Sequence, residues 1–242
     1  MEKAVIRNPS STRALHLNPR KIFLAIQLCI LLLALVSLAG QALKYLTVYD
    51  QAFGLIPLVD FYRSLSIPTV FNYLLYFLIV LLVETISKLR RAEGQADHQL
   101  WAFLAIVFIY ITLQRGSGLH NYLILPLRRL LRAQFPGLPK TNLIITASFI
   151  TLVLIPLFSK LIKSLPRRSL YLGLSAVALH LLGFLGYEFF GTAYARDFGK
   201  DNLTFSLIFT LTRTLQMSGV GLGIFALLDY LEKEFFELAI QW

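Results

Sequence analysis

Arg213, His180 and Glu188 are ionisable residues set inside long apolar runs, where charged side chains are scarce. An arginine at the middle of a membrane-spanning helix costs roughly 2.5–3.5 kcal/mol on insertion scales, so a residue of this kind requires a partner or a use. Arg213 lies well inside the last run, His180 at the middle of the fifth, and Glu188 toward its end. If the fifth helix continues past Phe190, Glu188 reaches the depth of Arg213 and can pair with it. Gln216 and His180 lie deeper and extend the set. Gln114, Arg115 and His120 follow the outer end of the third run and can rim the same pocket. Three chemistries are open. The first is a structural ion pair fixing two helices. The second is a cationic pocket for a small anion or an anionic lipid. The third is hydrolysis, with Glu188 as general base and His120 or His180 beside it.

The rest of the chain supplies little for catalysis. His16 and His98 fall far from His120, so the histidines have no metal-ligand spacing, and no H-E-x-x-H or G-x-S-x-G motif occurs. Neither a metal nor a cofactor is expected. Gly219, Gly221 and Gly223 resemble part of a nucleotide loop, but Ile224 stands where its last glycine is needed and no strand precedes it. Gly219 and Gly223 instead give the small-xxx-small spacing by which membrane helices approach closely, and Gly183 with Gly186 is expected to do the same on the preceding helix.

These residues need a scaffold, and composition says which. Hydrophobic residues make up 57% of the 242, and charged residues only 15%. Soluble domains have about 45–50% and about 25%. The excess is gathered into runs long enough to cross ~30 Å of hydrocarbon as helices. The chain is therefore expected to be an all-α integral membrane protein of about six transmembrane helices plus one interfacial helix. The spans fall near 22–43, 69–87, 100–115, 141–163, 169–190 and 204–231. Residues 1–21 form a basic tail and 232–242 a short one. The segments 44–68 and 191–203 read as loops. The first run reads as a span rather than a cleaved leader, because it continues past the small-residue site Ser37-Leu38-Ala39.

Between Leu119 and Phe135 leucines recur at helical spacing while His120, Arg128, Arg129 and Arg132 turn away, which predicts a short helix, bent at Pro126, lying at the interface. Trp101 suits an interfacial anchor. Glu84 is expected to pair with Lys88 or reach the surface. The lone Cys29 excludes an intrachain disulfide and reads as a small packing residue. The net charge of +10 resides beside apolar runs, which points to orientation and lipid headgroups rather than nucleic acid. More Lys and Arg fall on the side that six helices assign to both ends, so both termini are expected in the cytoplasm.

The order of features resembles a group of uncharacterised multi-pass bacterial membrane proteins. Their pattern runs I-P-T-W-F, S-L-D-E with H-E, L-P-R-R, G-x-E-x-x-G, D-N-L-T-Y and E-E-T-L-E-M-L-G. This chain has Ile67-Pro68-Thr69-Val70-Phe71, Gln114-Arg115 with His120-Asn121, and Leu165-Pro166-Arg167-Arg168. Gly186-Tyr187-Glu188, closing at Gly191, then precedes Asp201-Asn202-Leu203-Thr204-Phe205 and Thr212-Arg213-Thr214-Leu215-Gln216-Met217-Ser218-Gly219. The resemblance covers roughly residues 45–231. It implies a bacterial inner-membrane protein whose acid-rich set could bind a divalent cation or move protons. Here most of those acids are replaced by Gln114, Arg115, Asn121, Thr212, Arg213 and Gln216, leaving His120 and Glu188. A site so altered repels cations. The expectation is a non-catalytic subunit or assembly partner of a membrane complex, whose partners are the bilayer and other membrane subunits. Binding or transport of a small anion or anionic lipid, and an intramembrane hydrolase-like activity, are the alternatives.

Overall fold

A computed structural model describes residues 18–47, 52–117, 125–134, 159–162 and 165–236, with the side chains of residues 114–117, 127, 128, 131 and 132 excepted. Among these residues the secondary structure is helical throughout. Helix α1 (Pro19–Leu46) starts before its apolar run because Asn18 caps it: Oδ1 accepts from the backbone N–H of Arg20 at 3.1 Å and of Lys21 at 3.2 Å, and Pro19 stands at the first position. Gly54, in the left-handed region at φ 84°, opens the short α2 (Leu55–Val59). Helices α3 (Ile67–Ala92) and α4 (His98–Ser117) form a hairpin, and α5 is Leu125–Gln134. Helix α6 (Arg167–Gly186) passes through a π turn, Tyr187–Gly191, into α7 (Thr192–Phe198), which Gly199 stops at φ 79°. Asn202 caps α8 (Leu203–Leu231) by accepting from Phe205 N–H at 2.8 Å, and a second π turn, Glu232–Phe236, follows.

Among the described residues four helices are long and apolar enough to cross a membrane: Pro19–Leu46, Ile67–Ala92, Arg167–Phe198 and Leu203–Phe235. The expected third span corresponds to α4, whose apolar part, His98–Leu113, is shorter. The expected fourth, 141–163, lies outside the described residues except for a helical turn at Ser159–Ile162. Helix α8 is the axis. Over its most apolar stretch 56% of residues are buried, against 17–33% in the other three. It packs along α6, α1 and α3, and Phe205, Phe209, Met217 and Ile224 join Ile30, Ile79, Val83 and Ile86 in the core. On the outside, Leu24, Leu28, Leu31 and Leu35 of α1 and Leu174, Val177, Leu181 and Leu185 of α6 are exposed at helical spacing. Apolar stripes of this length exceed what soluble monomers leave to water.

Several expectations are corrected. The segment 191–203 is not a loop up to Phe198, because the helix runs on. Its backbone hydrogen bonds are indifferent to the polar side chains of Arg196 and Asp197. Part of 44–68 folds as α2, since Leu55, Ile56 and Val59 are apolar, and Ile56 and Val59 pack against Gly40 of α1. Trp101 is buried and stacked on Tyr230, with ring centroids 5.4 Å apart, so it is a core residue and not a surface anchor. Cys29 is exposed on α1. Glu84 pairs with Lys88 at 3.2 Å.

At one end Lys44 Nζ meets Asp201 Oδ1 at 2.6 Å and the Tyr45 hydroxyl donates to the same oxygen at 2.8 Å. The hydrogen bonds from Lys44 and Tyr45 hold the Asp201 carboxyl below its ordinary pKa. A carboxylate depressed in the folded state contributes stability fully above its unfolded pKa, and that contribution disappears as pH falls through the folded value. Asp201→Asn is therefore expected to lower the thermal midpoint slightly at neutral pH and not at all in strong acid. The effect is small because Asp201 faces solvent. A mutant deficit that persists unchanged to strong acid would contradict it.

Candidate functional site

The polar residues singled out in the sequence gather where α6 crosses α8. Glycine makes the crossing possible. A Cβ on Gly219 would lie 2.7 Å from His180 N and 2.8 Å from Ala176 O, and one on Gly183 would lie 2.5 Å from Thr212 O. The two backbones thus touch, and each glycine faces the other helix. At Gly186 the nearest atom is Thr212 Cγ2 at 3.3 Å. Gly223 meets Ile79 Cδ1 at 3.7 Å and Ala176 Cβ at 3.8 Å, an ordinary contact. Gly221 points elsewhere, toward Gln27 and Ile26 of α1, and Gln27 Nε2 donates to Ser218 O at 3.3 Å.

Close approach brings polar groups within bonding distance. His180 Nδ1 lies 3.1 Å from Gln216 O. A carbonyl only accepts, so Nδ1 carries the proton and donates. In the neutral ring Nε2 is then the acceptor, and the Tyr76 hydroxyl of α3 donates to it at 3.5 Å, a long bond, with the two rings edge to face. The Gln216 side chain is buried, and its Oε1 accepts from Arg213 Nη1 at 3.0 Å. The Arg213 guanidinium stands over the Phe209 ring, 4.9 Å from the centroid, in cation–π geometry. Tyr187 packs edge-on against the same Phe209. Glu188 adjoins Tyr187 on the π turn, where the Thr192 hydroxyl donates to the Glu188 carbonyl. Gly191 admits the Tyr187 ring, which a Cβ would meet at 2.5 Å.

The structure thus unites Tyr76, His180, Arg213 and Gln216 across α3, α6 and α8, and Glu188 adjoins Tyr187, which packs on the same Phe209. The backbone of Gln114 and Arg115 closes α4, but their side chains, and all of His120, lie outside the described residues. Among the described residues no group of three or more His, Cys, Asp and Glu could hold a metal ion.

A second cluster, at the opposite end of α8, is absent from the sequence reading. Arg90 of α3 donates from Nε to the Tyr230 hydroxyl at 3.0 Å, lies 3.3 Å from Glu234 Oε2 and 3.7 Å from Glu93 Oε2, and stands over the rings of Tyr230 and Phe235. Asp97 Oδ2 is 3.9 Å away. Beside it the buried Asp229 pairs with Arg168 at 3.0 Å and Lys233 at 3.4 Å. One signal was available: Asp229 is an acid at the end of the last apolar run, where a buried charge requires a cation. The chain matches no family model, no curated protein and no solved structure.

Proposed function

We propose that the chain is a non-catalytic multi-pass membrane protein acting as a subunit or assembly partner of a membrane complex. On the resemblance of its motifs, we place it in the bacterial inner membrane with six spans and both termini in the cytoplasm. The observation that carries the reading is the use made of the polar groups at depth. Both nitrogens of His180 and the amide of Gln216 serve bonds between or along the core helices, and the glycines around them close the helix crossing. A site built for turnover holds its acid and base toward a reacting atom. Here His180 ties α6 to α8 and to α3.

The test is native mass spectrometry of the tagged protein, gently extracted from its own host. Co-purifying protein at fixed stoichiometry is the expected result, and a partnerless chain would end the subunit reading. A lone chain that retains an anionic lipid or small anion, and loses it in Arg213→Gln, would move the assignment to binding at Arg213. Fusing a reporter to each end checks the topology: both are expected to report the cytoplasm.

A further inference from the structure

We infer that α5 is a binding element for the headgroups of anionic phospholipids, an inference that rests on the membrane reading above. Successive residues of a helix turn by 100°. On α5, Leu127, Leu130 and Leu131 fall within an arc of about 100°, and Arg128, Arg129 and Arg132 within a separate arc of about the same width. Arg129 and Leu130 are both exposed, and none of the other described helices packs extensively on α5. An arc of leucines on one side of a helix calls for an apolar neighbour.

Charge identifies the occupant. From Asp97 to Glu188 the chain has no acidic residue between, while nine Lys and Arg fall in that interval. The stretch that carries α5 is thus cationic throughout, which suits an external anion. A leucine arc beside an arginine arc matches the boundary between acyl chains and phosphates, where the apolar face is buried and the cations meet phosphate oxygens. Arginine suits this role because its planar fork takes two phosphate oxygens at once. A free phosphate would leave the leucines in water. Each basic residue near an anionic leaflet is worth about fivefold in lipid occupancy.

The full chain is placed in nanodiscs of equal parts phosphatidylglycerol and phosphatidylcholine, and the lipids it keeps are counted by native mass spectrometry. Wild type should keep phosphatidylglycerol in excess, and the excess should shrink as salt rises. The combined variant Arg128→Gln, Arg129→Gln, Arg132→Gln should lose the excess by about tenfold or more, and the corresponding triple lysine variant should keep most of it. Retention in bulk proportion by wild type, or an undiminished excess in the glutamine variant, overturns the inference. So does an acidic protein that leaves with the arginines while the lipid counts stay the same. If carbonate washing strips the chain from native membranes, the membrane reading itself has failed. An integrated chain without lipid preference fails this inference alone.

Discussion

Gly219→Ala will destabilise the protein by about 3 kcal/mol, while Gly223→Ala will leave its stability unchanged or slightly raised. The two glycines share one helix and one sequence pattern, but they meet different neighbours. The new methyl at 219 falls 2.7 Å from His180 N and 2.8 Å from Ala176 O. These are backbone atoms in the middle of α6, and no rotamer change moves them. The helices must part, and parting them lengthens the His180–Gln216 bond and opens the reciprocal contact at Gly183. At 223 the methyl meets Ile79 Cδ1 at 3.7 Å, ordinary contact, and alanine adds the helix preference that glycine lacks. Thermal unfolding of the three proteins in one lipid environment decides it. Equal losses would mean that α6 and α8 do not cross at Gly219.

The contrast also shows how far the sequence could reach. Long apolar runs were legible because hydrocarbon thickness dictates helix length, and the caps Asn18 and Asn202 were available as sequence signals at the start of their helices. Glycine spacing was visible too, but register was not: i and i+4 look alike until a partner helix supplies backbone atoms at one and a side chain at the other. Arg213 teaches a related lesson. Depth suggested Glu188 on the preceding helix as its neighbour, but Gln216 and Phe209, three positions ahead and four behind on its own helix, also meet the guanidinium. Both spacings are ordinary neighbours on a helix surface and could have been weighed first. Trp101 was misplaced for another reason. An aromatic ring near a helix end is as good an interface anchor as a core residue until Tyr230, far along the chain, is known to stack on it. Arg90 likewise resembled the other cations flanking the second run, and only the fold sets it against α8.

That difference between cations predicts the second large effect. Arg90→Ala will cost about 3 kcal/mol, and Lys88→Ala less than about 1 kcal/mol. The Arg90 side chain is 13% exposed, and it joins the Tyr230 hydroxyl, Glu234 and Glu93 while standing over two rings. Its removal leaves Asp97, 18% exposed, without the nearby cation, and Oδ1 of that residue is already buried without a hydrogen bond. It also empties the space between α3 and the end of α8. Lys88 pairs with Glu84, both well exposed at 75% and 45%, where water screens the attraction. Arg90→Lys should fall between the two, because the charge survives but the fork that spans Tyr230 and Glu234 does not. Lys88 and Arg90 belong to the same basic flank of α3, so removing either has the same effect on net charge and on any orientation bias. A loss confined to Arg90 therefore reports the packed cluster. Equal effects at both positions would show that flank charge, and not the tie between α3 and α8, is what this end of the protein requires.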